Sequence, residues 1–380
     1  MKHTGSSLAV AVTLAAGSLQ AQFDPQPLAF NPGKLAVLRV GDGSAALSSA
    51  AQPIFLDQFD PTGAGQSPSY TLAIPSTGAD ALTLSGTATS EGALSLSADG
   101  RFLTFAGYNT AAGTASVAGT ASATVNRGAG RVDAFGNYIL AARTDEGYTG
   151  NNVRGAVTVD GSGFWMSGTG SGTAGGIWYV QGTTDTQVYN TINNLRVPNI
   201  FGGDLYFSTS SGTTTRGIHA FTGLPTTSGA TATQLFDAGS SSSPYDFAVS
   251  PSGTLIYLAD DRATAAGGIQ RWEFDGSVWN LSYTLGTGVA NVGARGLTVD
   301  WSGATPVLFA ITGETSANRL IRIEDTGAGA EPVTLATAGA NTIFRGVDFT
   351  PVPEPGTLAL ILLGGGAWAL RRRRSGSSRI

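Results

Sequence analysis

Cysteine is absent from the 380 residues, so no disulfide staples this chain and no thiolate can hold a metal. That absence does not exclude export, because a large β domain can be stable without staples. Histidine is nearly absent too: His3 stands at the extreme N-terminus and the body keeps His219 alone. A multi-histidine metal centre is therefore excluded, and a Ser-His-Asp triad would have to use His219. Within the loop-like stretch RGIHAF that residue reads as structural. Charged residues make up only 12% of the chain, and the helix formers Lys, Glu and Met are scarce.

What is abundant points to strands and turns. There are 54 glycines, with many Thr, Ser and Ala, and 41% of residues are hydrophobic. The apolar residues fall in period-two runs, which a disordered Gly/Ser-rich chain would lack. The stretch Asp246 to Asp260, DFAVSPSGTLIYLAD, writes two short antiparallel strands joined by a tight Gly-containing turn. Related hairpins occur at Leu94–Gly107, Val157–Gly168, Val197–Ser210 and Leu297–Thr312. Five copies of one hairpin predict a repeat architecture.

Candidate inner strands begin near Ala93, Arg154, Arg196, Tyr245, Arg295 and Arg345. Their spacing of about 50 residues suits four strands per blade of a propeller. The expectation is an all-β fold, a six-bladed β-propeller over residues 22–350. Seven blades result if the Ala/Gly/Thr/Ser-rich stretch Asn109–Gly130 is a poor extra blade and not a loop. A β-sandwich would need fewer, more uniform strands, and a right-handed β-helix a shorter repeat. Lys34–Val40, Pro53–Phe59 and Ser69–Ile74 read as outer strands without an inner partner. Phe344–Thr350 is the strand that would complete their sheet, so the two termini share one blade and the ring has no open edge. The aromatics of Gly267–Leu285, with Trp272, Phe274 and Trp279, are expected to wedge adjacent sheets together.

Both ends carry short apolar helices. Residues 1–21 read as a secretory signal: Lys2, the apolar run Leu8–Ala16, and the small residue Ala21 before Gln22. Pro25, Pro27 and Pro32 follow at once. At the other end, Pro353-Glu354-Pro355 precedes an apolar run, 357–370, and then Arg371, Arg372, Arg373 and Arg374. As a helix that run rises about 21 Å, short of the roughly 30 Å hydrocarbon core, and the arginines would halt export with the tail inside. The run suits a temporary membrane stop.

The order of these three parts over residues 351–380 resembles the PEP-CTERM sorting signal of Gram-negative bacteria. The resemblance implies passage through the Sec export machinery, transient membrane insertion, and recognition by an exosortase that removes the tail. The exported body would then reside at the cell surface or outside the cell. Loss of Lys2 and the five tail arginines leaves 15 basic against 26 acidic residues, a net charge of about −11. Such a surface repels phosphate backbones and argues against nucleic acid as a partner.

The residues offer few chemical groupings. Adjacent acids at Asp145-Glu146, Asp260-Asp261 and Glu324-Asp325 point to opposite faces of an extended strand and do not converge by themselves. No metal site and no cofactor is expected, with calcium at Asp260 or Asp261 the one ion to consider. Gly168–Gly176 precedes a strand, not a helix, and reads as a turn rather than a phosphate cradle. The sharper pattern is an Asn shortly before an Arg in NNVRG, NNLRV, NVGARG and NTIFRG. If the blades are equivalent, Arg154, Arg196, Arg295 and Arg345 gather at one mouth of the channel, where guanidinium groups can hold a carboxylate or an acidic sugar. The alternative is that each arginine ties blades together through Asp160, Asp300 or Asp348. No catalytic residue is assigned, and the expected role is non-catalytic, binding or structural, at the cell surface or in the extracellular matrix, with extracellular polysaccharide as the candidate partner. A polysaccharide hydrolase or lyase using channel carboxylates is the competing reading.

Overall fold

The computed structural model describes residues 27–354. The five repeated hairpins fold as the two inner strands of five sheets: Ser95–Leu96 with Phe102–Tyr108, Val153–Thr158 with Phe164–Gly168, Pro198–Phe201 with Asp204–Thr209, Pro244–Val249 with Leu255–Asp260, and Ala294–Asp300 with Val307–Thr312. Each continues into two outer strands, making four-stranded antiparallel blades, here I to V in chain order. Blade VI joins both ends of the chain: Ile343–Phe349 is its inner strand, and Leu35–Val40, Ile54–Phe59 and Tyr70–Ala73 follow outward. The shared blade predicted from the unpartnered N-terminal strands is therefore present.

Six blades close the ring. Asn109–Asn126 is a long loop holding one 3-10 turn at Val117–Gly119, and the chain then enters blade I as its third strand, Arg127–Asp133. The loop lies along a small accessory ladder, Ala51–Gln52 with Leu84–Ser85, through hydrogen bonds between Ala51 and residues 113 and 114. No seventh blade exists among the described residues.

A propeller blade is covered on both faces, so its core is distributed among the interfaces between blades. Six clusters of buried side chains do this, one per interface. Leu38, Ile54 and Leu56 meet Leu103 and Phe105 between blades VI and I. Phe247, Ile256 and Leu258 meet Ile218 and Phe236 between III and IV. Strands such as Leu255–Asp260, LIYLAD, are consequently almost wholly buried and read as a continuous apolar run, because each face serves a different neighbour. The aromatic wedge is seen at the III–IV interface, where Phe236 stacks on Trp272 with ring centroids 4.1 Å apart and Trp279 closes the outer edge.

The signal segment 1–21, Pro355, the apolar run 357–370 and Arg371 to Arg374 lie outside the described residues. Among those described, no helix is long and apolar enough to cross a membrane.

Candidate functional site

Inner strands of neighbouring blades crowd together around the axis, and the backbone irregularities there decide which side chains face the mouth. In blade II, Val153 pairs with Gly168 and Gly155 with Ser167, leaving Arg154 without a partner in a β-bulge. Arg295 is the extra residue in blade V, between the Ala294–Thr312 and Gly296–Ile311 pairs. Blade VI is bulged between the Phe344–Arg39 and Val347–Val37 pairs, where Arg345 and Gly346 sit. Blade IV has the same irregularity at Tyr245 and Asp246. In blade III the Arg196 N–H donates to the Ser208 carbonyl while the Ser208 N–H donates to the Val197 carbonyl, so two residues again oppose one. A bulge turns its extra side chain away from the regular alternation, and here the extra side chain is an arginine or a tyrosine five times.

A glycine follows three of these arginines for a packing reason. A Cβ on Gly346 would lie 2.3 Å from the Leu94 nitrogen of blade I, and one on Gly155 would lie 2.7 Å from Cδ of Pro198 in blade III. The Arg-Gly pair thus sets an aimed side chain beside the point where the next blade closes in.

The arginines surround Tyr245. Nη1 of Arg196 donates to the Tyr245 hydroxyl at 2.9 Å, and its guanidinium carbon lies 4.4 Å from the ring centroid. The Arg295 guanidinium carbon is 5.9 Å from the same ring, and its Nε is 3.1 Å from Oδ2 of Asp261. Buried Arg154 donates to the Ser90 hydroxyl at 3.1 Å, to the Leu195 carbonyl at 2.6 Å and to Asn194. Burial, with the neighbouring Arg196 charge adding to it, pulls the Arg154 guanidinium down to about 9. Arg345 is 4% exposed and donates from Nη2 to the Gly86 carbonyl at 3.0 Å, while its Nε and Nη1 have no partner. Burial also lowers it, to about 10, an effect that Glu91 partly counters and the Arg295 charge reinforces.

Glu91 is the acid on the blade I side of this mouth. Its Oε1 accepts from the Tyr108 hydroxyl at 2.5 Å and from Asn152 at 2.6 Å, and its Oε2 accepts from the Ser85 amide at 2.9 Å. Burial pushes its carboxyl up despite these bonds. Four guanidinium groups therefore face two carboxylates, Glu91 and Asp261, which leaves the mouth cationic on a protein whose net charge is negative. Arg127 sits behind, fully buried, its guanidinium over the Tyr108 ring at 4.9 Å and bonded to carbonyls of the Asn109–Asn126 loop.

The acids proposed as structural partners of the arginines are engaged elsewhere. Asp160 accepts from Ser162 and Asp300 from the Ser302 amide. Asp348 accepts from the Leu96 amide at 2.6 Å, the Thr298 hydroxyl at 2.9 Å and its neighbour Phe349, and so pins blade VI to blades I and V. Asp246 does likewise for blade V through the Leu297 amide. Asp260 is saturated by Arg262, Gln270 and the Ser243 amide, and Asp261 is paired through Oδ2 with Arg295. Among the described residues no three His, Asp or Glu side chains come together as a metal set. His219 belongs to the third strand of blade III and not to a loop; it stacks on Phe207 at 5.1 Å and its Nε2 meets the Thr215 carbonyl at 2.9 Å.

The opposite ends of the inner strands frame a cavity of about 420 Å3. Phe201, Tyr206, Phe247, Leu297 and Trp301 line it, with the Asp348 carboxyl on one wall. The two mouths of the channel thus differ: one is ringed by arginines, the other is largely apolar.

The last described residues lead into the sorting segment. Residues 351–374 match the family model of the PEP-CTERM protein-sorting motif. The chain carries a PEP-CTERM motif. That motif implies recognition by exosortase, export and membrane-associated sorting. Of its signature, Pro353 is buried on the propeller and Glu354 is exposed. No curated protein matches the chain. Among solved structures, the chain is similar to a candidate 6-phosphogluconolactonase from Bacteroides uniformis at 15% identity and a TM-score of 0.45, covering 80% of this chain and 82% of that one. It is also similar to the periplasmic gluconolactonase PpgL of Pseudomonas aeruginosa, at 13% identity and 0.43, covering 80% and 83%. Hydrazine synthase of Kuenenia stuttgartiensis matches at 13% and 0.43, covering 81% and 80%.

Proposed function

We propose that this exosortase-sorted propeller is a non-catalytic binding protein of the cell surface or extracellular matrix, and that it takes carboxylate groups of acidic glycans at the arginine mouth. The observation that carries the reading is Arg345. A guanidinium with two N–H-bearing nitrogens buried and unpaired costs free energy, and the charge of a carboxylate seated in the mouth would offset part of that cost. Arg295, bonded among the described residues through Nε alone, and the Tyr245 hydroxyl supply neighbouring donors, and bidentate geometry suits guanidinium to carboxylate better than to a neutral sugar. The roles given to Arg154 and Arg196 are supporting ones, because Arg154 already spends two of its nitrogens, and Arg196 all three, on protein acceptors.

The competing hydrolase or lyase reading needs a carboxyl free to reach a glycosidic bond. Glu91 has both oxygens occupied by protein donors, and Asp261 is held by Arg295. A glycan array probed with the protein purified from its exporting host tests the reading. Uronic-acid glycans should be retained and their neutral counterparts should not; retention blind to charge, or shortening of the bound glycan, contradicts it.

A further inference from the structure

The folded body grips the start of its own sorting motif. After the closing strand, Thr350 is fixed to the N-terminal lead-in: its N–H donates to the Lys34 carbonyl at 2.9 Å and its hydroxyl to the Asn31 carbonyl at 2.6 Å. The Val352 N–H then donates to the Gly100 carbonyl at 2.9 Å. Pro351 and Pro353 are buried on either side of it. Glu354 forms an ion pair with Arg101.

That arginine is prepared for the contact. Its Nε lies 2.6 Å from Oδ2 of Asp99, and its guanidinium covers the Phe102 ring at 5.3 Å. Ser97 and Asp99 shape the turn by accepting the Arg101 and Phe102 amides. The turn belongs to the first hairpin of blade I, whereas Glu354 lies beyond blade VI. Both halves of the contact meet only once the ring has closed.

We propose that the Ser97–Arg101 turn is an intramolecular binding site for the PEP-CTERM motif, and that the motif must leave it before exosortase can take hold. Only residues 355 and 356 separate Glu354 from the apolar run that starts at 357. While Val352 to Glu354 stay docked, a membrane enzyme meets half of the motif as part of the propeller surface. Release of residues 351–354 frees roughly 13–14 Å of extended chain. An ion pair this exposed holds weakly, so the clasp delays sorting without blocking it.

The test uses the full-length chain in an exosortase-bearing host, following loss of the C-terminal tail by pulse-chase for wild type, Arg101→Ala and Arg101→Gln. In parallel, hydrogen exchange of the Val352 amide is read in the purified full-length proteins. The expected result is faster exchange at Val352 together with tail removal accelerated roughly two- to five-fold, at unchanged melting temperature. Arg101→Lys, which keeps the charge but loses the fork, should fall between. Arg101→Gln retains a side chain over Phe102 should the alanine variant fold poorly. Unchanged exchange at Val352, or faster exchange with tail removal at the wild-type rate or slower, overturns the proposal.

Discussion

Arg196 of blade III and Tyr245 of blade IV share two contacts at once: the guanidinium lies over the ring, and Nη1 donates to the hydroxyl at 2.9 Å. Stacking and hydrogen bonding together fix the Arg196 guanidinium against Tyr245, with Ser210 accepting from its Nε and Nη2. Tyr245→Phe keeps the ring and deletes the bond. Binding of an oligouronate should weaken by roughly three- to ten-fold, with the melting temperature close to wild type because Ser208 bonds the Tyr245 backbone and not its side chain. Calorimetric titration and a thermal melt separate the two effects.

Arg345 should behave in the opposite way to an ordinary structural arginine. Two of its nitrogens are buried without partners, so replacing it with methionine removes an unpaired buried charge at similar volume. Arg345→Met is expected to melt at or above the wild-type temperature while losing uronate binding. A variant that melts well below wild type would show that the guanidinium is needed by the fold itself.

Ring closure depends on few residues. Leu38, on the second strand of blade VI, is fully buried in the cluster shared with blade I. Leu38→Ala should cost about 2–5 kcal/mol, read by denaturant unfolding, and should act on a strand that holds the two ends of the chain together.

Stability should rise on mild acidification. Burial pushes the Asp348 carboxyl up to about 6 from an ordinary 3.8, so the folded state binds a proton that the unfolded state releases between those values. The associated stability is complete below the unfolded value and is lost as pH rises through about 6. Buried Glu91 and Asp246 act in the same direction. His219, pulled down by burial, acts in the opposite one as pH falls below its ordinary range. Comparing melts at pH 5 and 7.5 for wild type and Asp348→Asn isolates the carboxyl: the variant should show the smaller rise toward pH 5.

Much of the fold was legible in the sequence because the hairpin repeats and the strands are short and alternating. The shared blade could be read from three N-terminal strands that lacked an inner partner. The Asn109–Gly130 stretch could not be decided from composition, since Ala, Gly and Ser suit both a loop and a weak blade. What settles it is long-range: Arg127–Asp133 pairs back with Phe102–Tyr108. The Asn-to-Arg pattern located the arginines, but not the bulges that aim them. The glycine directly after Arg154, Arg295 and Arg345 was the available signal, because a strand glycine marks a bulge or a close backbone approach. Tyr245 and Glu91 carried no such mark: Tyr245 is the one bulged residue of the set that breaks the arginine pattern, and Glu91 meets its partners from a turn far away in sequence.

The most direct test of the arginine mouth is calorimetric titration of the purified full-length protein with an oligogalacturonate and with a neutral oligosaccharide of equal length, at two salt concentrations, beside Arg345→Met. The account predicts binding of the acidic oligomer only, weaker at the higher salt and lost in the variant. Equal affinity for the two oligomers, or acidic binding that survives the loss of Arg345, would contradict it.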